Sequence, residues 1–213
     1  MTSLEGAYVP AASEPSQGRF IVLEGVSGVG KSHLARALTA RLNATMLHTL
    51  PAPLTQMSST IDRELRALPQ FGFYLSGALH ASDLVRQGLT RGWVVADRYV
   101  SSVTACHAAV QGIDVQAVRD LLAPFLGYLI QPDHTFYLRC SEEEIRRRMA
   151  TKRDLKQDDL DLFEVPGRLS TLLNNFAAVA ATDPTAVTVD TDGKSVGELA
   201  DWIINVVGSR DRA

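Results

Sequence analysis

Gly25, Gly30, Lys31 and Ser32 occupy the fixed positions of a G-x-x-x-x-G-K-[ST] pattern. A glycine-rich turn of this kind points successive backbone N–H groups inward, where they cradle the oxygens of a phosphate chain. The ammonium of Lys31 has the reach to meet β- and γ-phosphates, and the Ser32 hydroxyl is an oxygen ligand for Mg2+. The flanking residues supply the required context. Phe20-Ile21-Val22-Leu23 is a short apolar run suited to a strand buried on both faces, and Leu34, Ala35, Leu38 and Leu42 recur at helical spacing. A helix that starts at the end of the turn adds partial positive charge to the amides. Gly25, Val26, Ser27, Gly28, Val29, Gly30, Lys31, Ser32 and His33 are therefore the expected nucleotide-binding positions.

A second group follows another apolar run. Trp93-Val94-Val95-Ala96 ends in Asp97-Arg98-Tyr99. A carboxylate at a strand end beside a phosphate loop can hold Mg2+ or its waters, which makes Ser32 and Asp97 the expected metal ligands. The planar fork of Arg98 suits a phosphate. A third group opens at Ser141 with Glu144, a capping-box pair, and acids precede bases through Arg146, Arg147 and Arg148 as the helix dipole favours. The basic run continues to Lys152 and Arg153, then meets a polar stretch, a pattern that predicts a phosphate-covering lid over residues 147–165. Arg148 and Lys152, four apart, are expected on one helical face. Arg148 and Arg153 join Lys31, Asp97 and Arg98 as the expected catalytic set. The acidic run from Asp158 to Glu164 lacks the glycine and ligand spacing of a calcium loop and reads as a solvated segment with Leu160, Leu162 and Phe163 partly packed. The five histidines fall in no metal-ligand spacing; His107 follows the Asp97-Arg98 pair by about three helical turns.

Five short apolar runs must position these groups. They lie near Arg19–Glu24, Thr45–Thr49, Trp93–Asp97, His134–Arg139 and Ala186–Asp190, separated by longer helical patterns. Strands alternating with helices predict an α/β fold with a five-stranded parallel sheet covered on both faces, and ligands then bind beyond the carboxyl ends of the strands. The 213 residues and 46% hydrophobic content support one domain, taken as residues 19–213, after a mobile tail of residues 1–18. That tail lacks the basic start and apolar core of a signal peptide. The net charge of −3 gives no footprint for nucleic acid, and no apolar stretch reaches membrane-spanning length. Two widely separated cysteines, Cys106 and Cys140, fit a reducing cytoplasm and neither a disulfide framework nor a zinc site.

The chain resembles the thymidylate kinase family of P-loop nucleoside and nucleotide kinases, from about Arg19 to Val206. The resemblance is carried by Phe20–Gly25 with the phosphate loop, by Asp97-Arg98-Tyr99-Val100-Ser101-Ser102, and by Pro132-Asp133-His134-Thr135-Phe136-Tyr137-Leu138. It implies a P-loop kinase architecture with a lid, ATP and Mg2+, γ-phosphoryl transfer to a nucleoside monophosphate, a homodimer, and Thr191–Ser195 against adenine. The dimer would use the helices expected at Ser58–Leu68 and Phe71–Thr90. The acceptor half departs from the family pattern. The turn His48-Thr49-Leu50-Pro51 lacks the acceptor-phosphate Arg, Gly77 stands where the base-reading Arg is expected, and Ala105-Cys106-His107 replaces the usual Ala-Tyr-Gln. These departures lead us to expect dTMP to be a poor acceptor unless Arg98 and another base compensate. A kinase for a hydroxyl of a nucleoside-like compound is the alternative; it needs a carboxylate base, with Glu24 and Asp97 as strand-end candidates. A regulatory nucleotide-binding ATPase is the third reading.

Overall fold

β1 (Phe20–Glu24) is buried along its whole length, and it organises the molecule. The computed structural model describes residues 8–10, 18–153, 155 and 157–209, with the side chains of residues 158 and 209 left out. Most of the expected tail, residues 1–18, lies outside the described residues. Successive β1 side chains point to opposite faces. Phe20 and Val22 pack with Val94 and Ala96 against Ala81 and Val85, while Ile21, Leu23 and Val95 join a larger cluster with Leu34, Ala35 and Leu38. A strand with an apolar layer on each side has no solvent face, which is why its sequence is a continuous apolar run.

In chain order, α1 (Lys31–Leu42), β2 (Thr45–His48), α2 (Ser58–Glu64), α3 (Ala67–Leu89), β3 (Val94–Asp97), α4 (Val100–Gln111), α5 (Val115–Leu122), β4 (His134–Arg139), α6 (Glu142–Ala150), α7 (Gln157–Glu164), α8 (Arg168–Ala180), β5 (Ala186–Asp190) and α9 (Val196–Ser209) follow β1. All five strands are parallel, in the order β2-β3-β1-β4-β5. Each expected strand is present within one residue of its expected bounds. α1 packs on α9, and α4 packs on α3, α5 and α8. Small residues let α8 approach α4 closely enough for Asn175 Nδ2 to donate to the Ala105 carbonyl at 3.1 Å.

The connection leaving β1 runs to β2, past β3, whereas β3 is followed by β4 on the far side of β1. The two connections part between adjacent strands, and a crevice opens at their carboxyl ends. Gly25 follows β1 and Arg98 follows β3, so the first two sequence groups flank this crevice.

Two local expectations are corrected. Lys152 does not share a helical face with Arg148, because α6 ends at Ala150. The acidic segment is not simply solvated: Asp159 is buried and pairs with Lys152 Nζ at 2.5 Å, and Leu162 is buried. Phe163 carries the Arg146 guanidinium over its ring at 4.8 Å. Charge pairing and an apolar stripe therefore fold this part of the expected lid segment into a packed helix.

Candidate active site

The turn after β1 is forced to be glycine-rich by contact as well as by conformation. Gly25 has φ +135, and a Cβ there would stand 2.4 Å from the Leu138 carbonyl oxygen of the neighbouring strand. Gly28 has φ +88, and a Cβ would meet Met149 of α6 at 3.0 Å. Val26 and Val29 point into the core, so these two positions anchor the turn and leave their backbone to face a ligand. Gly30 caps α1, and Lys31 is its first residue.

Lys31 is buried, and its Nζ donates to the Val26 carbonyl at 2.7 Å. Burial, reinforced by the Arg98 charge, pulls its ammonium down to about 7, against the opposite pull of Asp97 and Glu24. Ser32 Oγ donates to Asp97 Oδ2 at 2.5 Å. The other carboxylate oxygen, Asp97 Oδ1, is buried with no hydrogen-bond partner among the described residues. A buried, unpaired carboxylate oxygen beside a hydroxyl is costly by itself and matches the all-oxygen donor set that Mg2+ prefers. The two expected metal ligands are thus brought together across 65 residues of sequence.

Arg98 adopts φ +73. Its Nη1 donates to the Gly25 carbonyl at 3.1 Å and to Ser102 Oγ at 3.0 Å, and Nη2 donates to Ser27 Oγ at 3.3 Å. Glu24 is fully buried and accepts from Tyr99 N, Ser102 N and Ser102 Oγ. Desolvation pushes its carboxyl up to about 7, although Ser102, Arg98 and Tyr99 oppose that rise. Asp62, the first acid after β2, accepts from Gln70 Nε2 and from the Tyr74 hydroxyl.

Arg148 reaches the outer shoulder of the loop. It donates to the carbonyls of Val29 and Thr191, to Thr191 Oγ1 and to Glu144. Glu144 is held near pKa 2 by hydrogen bonds to Arg147 and Arg148. Only half of the expected capping box forms, because Glu144 is spent on the two arginines and the Ser141 N–H turns to Asp192 instead. Beside Arg148 lies a cavity of about 480 Å3 lined by Gly30, His33, Arg147 and Gly193–Ser195. Arg153 is exposed beyond α6 and is not drawn into this group. His107 is a core residue against Phe71, with its pKa lowered by burial.

Sequence reasoning missed the parts made by distant backbone. Thr49 Oγ1 donates to the Arg98 carbonyl at 2.6 Å, and Leu50 fills the space beside Gly77, where an added Cβ would lie 2.6 Å from Leu50 Cδ2. A hydroxyl or a leucine after a strand carries no signal of either contact.

The family model described as thymidylate kinase matches residues 23–201. The chain belongs to the thymidylate kinase family. Among the relatives of this family, the thymidylate kinase of Parasynechococcus marenigrum (strain WH8102) is 31% identical over 185 residues, covering 76% of this chain and 85% of the relative. The probable thymidylate kinase of Methanocaldococcus jannaschii is 24% identical over 193 residues, covering 87% and 93%. The solved thymidylate kinase of Candida albicans superposes with a TM-score of 0.75 at 20% identity, over 93% of this chain and 94% of that one, which shows the shared fold. As a thymidylate kinase family member, the chain is an ATP- and Mg2+-dependent phosphotransferase acting on a nucleoside monophosphate. The hydroxyl-phosphorylating alternative is not favoured.

Proposed function

We propose that the acceptor is dTMP and that the crevice between β1 and β3 is where the γ-phosphoryl group of ATP passes to it. The observation that carries a phosphate acceptor is the state of the acids. Glu24 and Asp62 are engaged by donors, and Asp97, paired with Ser32 through Oδ2, keeps its Oδ1 for Mg2+ in this reading. A hydroxyl acceptor needs a free base, whereas a monophosphate oxygen is already ionised near neutral pH, its second pKa being about 6. An acceptor oxygen forms the new bond to Pγ as the bond from Pγ to the β-phosphate oxygen breaks, and ADP leaves with that electron pair.

In this reading Lys31 and the amides from Val26 to Ser32 hold the donor phosphates, with His33 at the edge. Ser32 and Asp97 would hold Mg2+, which when bound neutralises phosphate charge. Arg98 meets the acceptor phosphate with the guanidinium donors it does not spend on Gly25, Ser27 and Ser102. Arg148 braces the loop at the donor base, where Gly193–Ser195 line the cavity, and Arg153 belongs to the lid that covers the transfer. Such a site works by positioning and charge neutralisation. The absence of a cation at Thr49 and Gly77 supports weaker acceptor binding than two arginines would give.

Residues 19–213 act as one kinase domain in this reading. The exposed Leu65 and Leu68, where α2 meets α3, support a homodimer face, and a nucleotide substrate pool supports a cytoplasmic location. Acceptor-dependent ADP release tests the assignment. We expect turnover with dTMP and none above background with thymidine. Faster turnover with thymidine, or with another monophosphate, refutes dTMP as the acceptor.

A further inference from the structure

The phosphoryl transfer proposed above leaves Glu24 unassigned, yet this acid beside the crevice is fully enclosed, with no solvent exposure. One of its oxygens, Oε1, accepts from Tyr99 N at 2.8 Å and Ser102 N at 3.1 Å. Tyr99 precedes α4 and gives that helix no side-chain cap. Glu24 therefore caps α4 from a different strand, satisfying amides that a local Ser or Asp would ordinarily serve. The second oxygen, Oε2, accepts from Ser102 Oγ at 2.5 Å, and the same hydroxyl accepts from Arg98 Nη1 at 3.0 Å.

We propose that Glu24 and Ser102 form a positioning relay that aims the Arg98 guanidinium at the acceptor phosphate; this rests on the reading of Arg98 given above. Arg98 is the residue most in need of such help. Its backbone sits at φ +73, a conformation that side-chain-bearing residues adopt only when the surroundings impose it. Upstream its N–H is tied to the Leu23 carbonyl at 3.0 Å, and downstream the chain is tied to Glu24 through Tyr99 and Ser102. Both ties end on adjacent residues of β1, so the turn is fixed to the same strand that launches the phosphate loop. The guanidinium is then referred to β1 through Ser102 and Glu24, and to the turn that leaves β1 through the Gly25 carbonyl. The hydroxyl of Ser102 is not needed to cap α4, because the two amides already meet the carboxylate. What it adds is a charge-assisted bridge from the carboxylate to the guanidinium.

The test separates this role from plain capping. Ser102→Ala removes the bridge and leaves both amide bonds to Glu24, Ser102→Thr keeps a hydroxyl, and Glu24→Gln keeps size but removes charge. Steady-state kinetics are measured with ATP and dTMP varied separately. We expect Ser102→Ala to raise KM for dTMP about tenfold and to move KM for ATP by less than about twofold. Ser102→Thr should restore most of the loss, and Glu24→Gln should shift KM for dTMP in the same direction. On an Arg98→Ala background, Ser102→Ala should have no further effect. Equal changes in both KM values, or a lowered melting temperature with both KM values unchanged, overturn the relay. Arg98→Ala with normal dTMP kinetics overturns the acceptor reading itself, whereas a damaged Arg98→Ala beside a normal Ser102→Ala overturns the relay alone.

Discussion

Lys31 is a buried amine with a carbonyl as its hydrogen-bond partner. Without a phosphate, burial lowers its pKa from 10.5 to about 7. A bound triphosphate supplies the missing anions and must raise that value again. ATP binding near pH 8 should therefore take up a proton. Calorimetry in buffers of different ionisation enthalpy reads that uptake, and Lys31→Ala should abolish it. The same substitution should lower kcat/KM at least about a hundredfold by removing transition-state charge stabilisation, without lowering the melting temperature. Glu24 ties folding stability to pH. Its folded pKa of about 7 lies above the ordinary 4.5, so the folded chain holds the extra proton between those values. Stability contributed by this group is present below about pH 4.5 and is lost as pH rises towards 7. Urea unfolding at pH 5 and pH 7 should show the wild type losing stability relative to Glu24→Gln across that window; a constant difference refutes the assignment. Lys31, Ser32, Asp97 and Arg98 were legible as residues because each follows a strand and has a charge or oxygen suited to phosphate or Mg2+. Their partners were not, because Glu24 to Ser102 spans 78 residues and Thr49 to Arg98 spans 49.

At the scale of elements, α3 and the segment after β2 fit through a single missing side chain. Leu50 is buried against Gly77, and its backbone has φ +73. Gly77→Ala puts a methyl group into Leu50, and overpacking of this kind costs about 1–3 kcal/mol. We expect Gly77→Ala to lower stability by that amount and to raise KM for dTMP, because the displaced segment carries Thr49 and with it the Arg98 carbonyl. Adding Leu50→Ala should recover part of the stability loss, a non-additivity that a double-mutant cycle measures. The segment expected to form a lid obeys a different logic. Lys152 neutralises the buried Asp159 and so seats α7 near the end of α6. Lys152→Ala leaves a buried carboxylate without that partner, and limited proteolysis between residues 151 and 165 should speed up, with a bisubstrate analogue restoring resistance. The basic run was visible in the sequence. That one of its members is spent on holding an acid, and another on the Val29 and Thr191 carbonyls, depends on where α6 stops and how it lies on the loop.

At the scale of the whole molecule, the strand order sets the division of labour. β1 lies at the centre of the sheet, the phosphate loop leaves its end, and β3 beside it delivers Asp97 and Arg98. In the proposed function, donor and acceptor machinery meet between these two neighbouring strands, and the helices on either face serve packing or association. Met57, Leu65 and Leu68 are exposed around α2 and the start of α3. If this face joins two copies, Leu68→Glu should shift the light-scattering mass from dimer to monomer; an unchanged dimer would place the interface elsewhere.

The sequence by itself determined the five strands, their parallel arrangement between two helical layers, and the phosphate loop. These follow from local regularities: continuous apolar runs for strands buried on both faces, a 3.6-residue period for helices, and a fixed spacing of glycines, lysine and serine. Tertiary structure decided everything that depends on two distant segments sharing one space. It brought Ser32 to Asp97, left Asp97 Oδ1 buried and unpaired among the described residues, and occupied Glu24 with α4. It also closed the Gly77 site with Leu50 and turned Arg148 onto the loop. Hydrogen-bond partners and steric vacancies are properties of the packed chain, and no local pattern of residue types encodes them.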